Sequence, residues 1–205
     1  PYFAANAAET SAGDEFSRQQ EIYSSSGEKR PRGYVIDRTL ASYAETLLPD
    51  FETSLAKLDS ESRWLDIGAG SGQAILDYFS PAYDKSRVAF GRANRNRAMA
   101  VAISIEDRRT QAWRQTAASV GENRIRYLFS KSLREYTTEE LGQFRIITDV
   151  IGGFSYTPDL ALFVRKVLAL LETDGSFYTV LQDVHAHDGQ NKPHYKGAPF
   201  LTEIY

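Results

Sequence analysis

Residues 65–72 read Leu65-Asp66-Ile67-Gly68-Ala69-Gly70-Ser71-Gly72, and this stretch decides the fold. It closes an apolar run, Trp64 to Ile67, and passes through three glycines at alternate positions. It then enters Gly72–Phe79, where Ala74, Ile75, Tyr78 and Phe79 recur at helical spacing. A buried strand that turns through glycines into a helix leaves backbone N–H groups unpaired at the helix start. The missing Cβ atoms let a ligand approach them. A dinucleotide site asks for G-x-G-x-x-G, in which the third glycine packs helix on strand. Here the spacing is Gly68-x-Gly70-x-Gly72, and Gln73 stands where that third glycine would be.

Downstream of this turn the period switches repeatedly between strand and helix. Strands are predicted at Met99–Ile105, Arg124–Phe129, Phe144–Val150 and Ser176–Leu181. Between them fall a helix over Thr110–Val120 closed by Gly121 and a capping box of Thr137 with Glu140. A longer helix follows, capped by Thr157 with Pro158 at its first position, and Asp174-Gly175 turns the chain into the last strand. Alternating strands and helices predict an α/β fold with a doubly wound, mostly parallel sheet covered on both faces. Upstream, Asp37 reads as the cap of a helix carrying Leu40, Tyr43, Ala44, Leu47 and Leu48 on one face. Pro49 ends it, and Phe51, Leu55 and Leu58 continue the stripe. Residues 1–35, broken by Gly27, Pro31 and Gly33, read as a loose arm. The expected division is an arm and helical cap over 1–58 and a ligand-binding unit over 59–205.

Composition narrows the function classes. A chain of 205 residues has room for one substantial core. Its 24 Lys and Arg against 27 Asp and Glu give a formal charge of -3, so no global positive field recruits nucleic acid. The basic connection 80–98, with Lys85, Arg87, Arg92, Arg95 and Arg97, reads as a solvated loop. The longest apolar stretch, Val164–Leu171, is broken by Arg165 and Lys166 and is far short of the roughly 20 residues of a membrane span. The absence of cysteine removes disulfides, thiolate nucleophiles and Cys-ligated zinc. No apolar signal core precedes the Ala-rich start, so a cytoplasmic location is expected.

Through these residues the chain resembles the class I S-adenosylmethionine-dependent methyltransferases. Their first motif is an acidic residue followed by G-x-G-x-G. The resemblance runs from Arg63 to about Asp183. It implies a Rossmann-like methyltransferase fold with an N-terminal helical cap, and S-adenosylmethionine as cofactor. Asp66, Gly68, Ala69, Gly70 and Gly72 would border the cofactor's amino group, methionine and ribose. The family's second motif is a strand-end acid that accepts both ribose hydroxyls, followed by an apolar residue against adenine. Ser104 and Ile105 fall in those two slots, with Glu106 just beyond. After the third strand Ser132 and Leu133 match the adenine-reading position, without its usual acid. Asp149 ends the fourth strand, where the family faces both the methionine part and the acceptor, and Ile151–Tyr156 would line the mouth. Two departures stand out: Ser104 lacks a carboxylate, and Lys131 sits where an acid is usual.

The acceptor is less legible. Methyltransferases acting on base or amide nitrogens carry [DN]-P-P-[YFW] after strand four, and Asp149-Val150-Ile151-Gly152 has no such prolines. His185 and His187, following strand five, are candidates to take a proton from an acceptor hydroxyl. Asp183, His185 and His187 alternate in a way that also suits a metal, while the plain alternative is a polar surface loop. Arg30, Arg32 and Tyr34 of the arm are candidates to fold over the cofactor. The reading is a methyltransferase acting on a small-molecule acceptor. The alternatives are a catalytically inactive methyltransferase-like binding module and an NAD(P)-dependent oxidoreductase. Too few residues follow Leu181 to build the family's last two strands. The C-terminal part of the sheet is therefore expected to be incomplete, with a homo-oligomer as one way to cover the edge.

Overall fold

Five strands form one sheet because each carries apolar residues on both of its faces. The computed structural model describes residues 38–47, 49–80, 98–157 and 159–180, with the backbone of 185–187 and 193–196. The strands are β1 (Arg63–Ile67), β2 (Met99–Ile103), β3 (Ile125–Leu128), β4 (Phe144–Val150) and β5 (Leu171–Val180), in the order β3-β2-β1-β4-β5. Every neighbouring pair is parallel, with Leu65 opposite Val101 on one side and Ile147 on the other. Buried strands of this kind read as near-continuous apolar runs, as Trp64–Ile67 and Phe144–Val150 do. The expectation of a doubly wound parallel α/β sheet is met.

Helices cover both faces. On one side lie α1 (Leu40–Thr46), α2 (Asp50–Ala56), α3 (Gln73–Phe79) and α4 (Gln111–Val120). They share a core with Trp64, Ala100, Ala102, Ile125, Tyr127, Ile146 and Tyr178 of the sheet. The helical cap is thus packed directly on the strands through Leu40, Tyr43, Phe51 and Leu55. On the other side, α5 (Thr138–Leu141), α6 (Gly153–Tyr156) and α7 (Leu160–Leu170) follow a 3₁₀ turn at Leu133–Glu135. Their Leu141, Phe154, Phe163, Val167 and Leu170 bury against Leu65, Ile67, Val101, Ile103 and Ile147. Residues two apart on a strand face the same layer, which sends Trp64 and Asp66 to the first side and Leu65 and Ile67 to the second.

Several boundaries differ from the sequence reading for local reasons. Thr39 caps α1, its hydroxyl accepting the Ser42 N–H at 3.1 Å, whereas Asp37 lies outside the described residues. Asp159, not Thr157, caps α7: its carboxylate accepts the Leu162 N–H at 2.9 Å, while the Thr157 hydroxyl accepts the Asp159 N–H. β2 ends at Ile103 because the chain beyond turns around the Tyr127 hydroxyl, which meets both Glu106 O and Arg108 N–H at 3.3 Å. β5 begins at Leu171 rather than Ser176. Asp174 and Gly175 persist as an irregularity in its ladder, which jumps from Phe144–Leu171 to Ile146–Ser176. The N-terminal arm, residues 81–97, Pro158, Leu181 and Asp183 lie outside the described residues.

Candidate functional site

Asp66 sits one residue before the end of β1 and is wholly buried. Two side chains hold it. The Thr148 hydroxyl, on β4, donates to its Oδ1 at 2.7 Å, and the Tyr43 hydroxyl, on α1, reaches both oxygens at 3.0 and 3.1 Å. Thr148 in turn accepts the Trp64 indole N–H at 2.9 Å. A chain of bonds therefore runs from Trp64 through Thr148 to Asp66 and on to the cap helix, with each buried polar group partnered. Burial pushes the Asp66 carboxyl up to about 7, against the pull of the bonds from Thr148 and Tyr43 and of the Arg38 charge. Burial and the adjoining carboxylate push the Tyr43 phenol well above its ordinary value.

The glycine turn follows at once. Gly68, Gly70 and Gly72 all have positive φ, at 71°, 57° and 79°, a conformation that side chains with a Cβ resist. Packing adds a second reason at two of them. A Cβ on Gly68 would overlap the backbone of Gly152, and one on Gly72 would overlap the Trp113 ring. Ala69 N–H donates to Ile103 O at 3.0 Å, which ties the turn to the end of β2. Gly72 then opens α3 as its N-cap, with no side chain to satisfy the helix's first N–H groups.

At the end of β2, Ser104 is buried, and the Tyr127 hydroxyl of the neighbouring strand donates to Gly70 O. Ile105 is half-buried, and Glu106 pairs with Arg108 at 3.5 Å. At the end of β3, Phe129 is partly exposed and lies beneath the Arg109 guanidinium, 5.1 Å from its ring centre. Ser132 is buried, its N–H donating to Glu135 Oε2 at 2.6 Å and its Oγ without a hydrogen-bond partner. Leu133 packs in the core on the second side of the sheet, beside Tyr136 and Leu141.

Asp149, one strand over from Ile67, is also wholly buried. Its two oxygens accept the Gly152 N–H at 2.8 Å and the Phe154 N–H at 2.9 Å, so the carboxylate shapes the turn into α6. That turn holds Ile151 at φ 55°, a strained value for a β-branched residue. Burial pushes the Asp149 carboxyl up to about 7, against its two backbone bonds and helped by the nearby Asp66 charge. Arg38 closes this corner by donating to Val150 O at 3.2 Å.

The structure thus brings Asp66, the three glycines, Ser104 and Asp149 together at the carboxyl edge of β1, β2 and β4, where ligands of open α/β sheets bind. His185–His187 form a short strand, β6, paired antiparallel with β7 (Pro193–Lys196), and their side chains lie outside the described residues. Among the described residues, no cluster of three metal-ligating side chains occurs. No helix among them is long and apolar enough to cross a membrane. Sequence reasoning missed four members of the site. Thr148 was findable as a hydroxyl in an apolar strand, whereas Tyr43 and Tyr127 look like ordinary core aromatics. Arg38 lies in a segment whose period says nothing of its partner.

The strand order β3-β2-β1-β4-β5 with helices on both faces is a Rossmann-like, doubly wound α/β fold, and solved structures align with part of it at low identity. One is the YcgJ protein from Bacillus subtilis, 21% identical over 67% of this chain and 53% of that one, with a TM-score of 0.41. A second is PKMT2 from Rickettsia typhi in complex with AdoHcy, 16% identical over 71% of this chain and 26% of that one, TM-score 0.47. A third is an rRNA methylase from Streptococcus thermophilus, 14% identical over 73% of this chain and 75% of that one, TM-score 0.45. The chain therefore spans between about a quarter and about half of the first two. No protein-family model and no curated protein matches the sequence.

Proposed function

We propose that the chain binds S-adenosylmethionine and transfers its methyl group to a small-molecule acceptor. One observation carries this reading: three positive-φ glycines at the carboxyl end of the central strand are flanked by two buried carboxyl groups, Asp66 and Asp149. Carboxyl groups pushed up to about 7 by burial gain from a cationic ligand and lose beside an anionic one. S-adenosylmethionine brings an ammonium and a sulfonium, whereas a dinucleotide brings a pyrophosphate. The site therefore favours the former on charge as well as on glycine spacing. Gln73, at the dinucleotide pattern's third-glycine position, bonds its own helix partner Asp77 at 2.7 Å.

The residues present fit such a group. Gly68, Gly70 and Gly72 would border it, Asp66 would offset its positive charge, and the unpartnered Ser132 Oγ offers adenine a hydrogen bond. The chemistry supplied by the bound cofactor is an electrophilic methyl group on sulfur. The chain's own contribution is orientation, with Asp149 fixing the turn that faces the acceptor. His185 and His187 are proposed as proton acceptors for an acceptor hydroxyl. A binding module without transfer is the second reading, favoured by Ser104, which stands where the family has a carboxylate.

Thermal unfolding with S-adenosylmethionine, S-adenosylhomocysteine and NAD added separately tests the proposal. A ligand at about a hundred times its Kd adds about 2.7 kcal/mol, which raises the midpoint of a chain this size by about 5–10 °C. A rise with the first two and none with NAD is expected. A rise with NAD alone would transfer the site to dinucleotide chemistry.

A further inference from the structure

The end of β2 is closed by the protein itself. One phenol oxygen, that of Tyr127 on β3, gathers three backbone groups: it donates to Gly70 O in the glycine turn and meets Arg108 N–H and Glu106 O, each at 3.3 Å. The ring is clamped beneath α4, edge-on to Trp113 with centroids 5.2 Å apart, and Arg109 lies over its outer side. The ring is therefore positioned by the core rather than by a mobile loop. A hydroxyl of the chain thus ties the glycine turn at Gly70 to the segment 106–108 that follows Ser104, where a strand-end acid would read a ribose.

The chemistry at this point differs from that of a carboxylate. A carboxylate presents two acceptor oxygens and takes both ribose hydroxyls through charge-assisted bonds. Ser104 has a single uncharged hydroxyl, buried at the end of β2. Glu106, the nearest acid in sequence, pairs with Arg108. Asp107, the next, is held by Arg109 at 2.7 Å, and that pairing pulls its carboxyl down to about 2. Every acid in the segment is already matched to a cation of its own segment.

We propose that the Tyr127 hydroxyl takes the hydrogen-bonding place that a strand-end carboxylate would give to the ribose, so that this chain holds its nucleoside cofactor without reading the ribose diol. The inference rests on the S-adenosylmethionine reading above and deepens it. It makes Tyr127 and Ser104 specificity-determining residues. Selectivity then falls on the adenine and amino-acid ends of the ligand. A 2′-deoxyribose ligand is accepted nearly as well as the ribose one.

Calorimetric titration of the full chain with S-adenosylhomocysteine and with its 2′-deoxy counterpart tests this. Loss of a hydroxyl bonded to a carboxylate weakens binding by about tenfold or more. The two ligands are expected to bind within about threefold of each other, and any larger preference for the ribose form overturns the assignment. The double variant Ser104→Asp with Tyr127→Phe puts a carboxylate at the strand end and removes the phenol. It is expected to acquire a preference for the ribose form of about fivefold or more. Should that variant not fold, the comparison on the unaltered chain still decides. A chain that binds neither ligand sinks the cofactor reading itself, a result distinct from strong discrimination, which removes only the role given to Tyr127.

Discussion

The Tyr43 hydroxyl stands 3.0 and 3.1 Å from the two carboxylate oxygens of Asp66, so a side chain of the cap helix secures the acid that precedes the glycine turn. The cap is therefore part of the site's framework as well as of its cover. Anything that repositions α1 changes the surroundings of Asp66, and any cation placed beside Asp66 acts on a group already bonded to α1.

A pH dependence of stability follows from the two buried acids. Burial raises both Asp66 and Asp149 from an ordinary 3.8 to about 7. Between about pH 4 and pH 7 the folded chain holds protons that the unfolded chain has released, so stability falls as pH rises through that window and levels off above it. Thermal midpoints should be higher at about pH 5.5 than at about pH 8, and Asp66→Asn should flatten the difference. A midpoint that climbs over the same range would contradict the account of both groups.

Thr148 holds two buried partners, Trp64 and Asp66. Replacing it with valine keeps the shape, strands the Trp64 indole N–H at about 1–3 kcal/mol, and takes from Asp66 one of its two side-chain donors at about 1 kcal/mol more, Tyr43 remaining. Denaturant unfolding of Thr148→Val should show a loss of about 2–4 kcal/mol, with Thr148→Ser much milder. A loss below about 0.5 kcal/mol would mean that the network contributes little.

Gly72 combines a φ of 79° with a ring where its Cβ would go. Gly72→Ala is expected to lower stability by about 2–4 kcal/mol, from backbone strain together with overpacking against Trp113. Because only the second part depends on the ring, Trp113→Leu should suffer less from Gly72→Ala than the parent does. Strictly additive effects would assign the whole penalty to the backbone.

The cap of α7 separates the structure from the sequence reading. Asp159→Ala should reduce stability by about 1 kcal/mol, while Thr157→Ala, which removes a weaker bond at 3.3 Å, should change it by less than half as much. The reverse order would restore Thr157 as the cap.

The architecture was legible because its signals are local. Apolar runs of strand length, the Gly68-x-Gly70-x-Gly72 turn, Thr110 and Gly121 at the ends of α4, and the capping box at Thr137 all state their roles within a few residues. The glycines and Asp149 could also be placed at the carboxyl edge from order alone. The partners of the site residues were not legible. Tyr43 lies 23 residues from Asp66 and Thr148 lies 82 residues away, and helical or strand periodicity makes the same demand of a bonded hydroxyl as of any core position. Ser104 lacks a carboxylate by its identity alone. That Tyr127 would fill the gap depends on β3 pairing with β2 in the register Ala102–Tyr127, which no local pattern specifies. The misplaced helix start at Thr157 arose because two capping residues stand two positions apart, and only tertiary packing chooses between them.

The central claim is that the glycine turn beside Asp66 binds S-adenosylmethionine. Its most direct test is a calorimetric titration of the full chain with that compound, repeated on Gly70→Asp, in which an acidic side chain enters the turn at a backbone conformation aspartate tolerates. The account predicts saturable one-to-one binding by the parent chain and none by the variant, with the variant still unfolding cooperatively. Absence of binding by the folded parent, or equal binding by the variant, would contradict it.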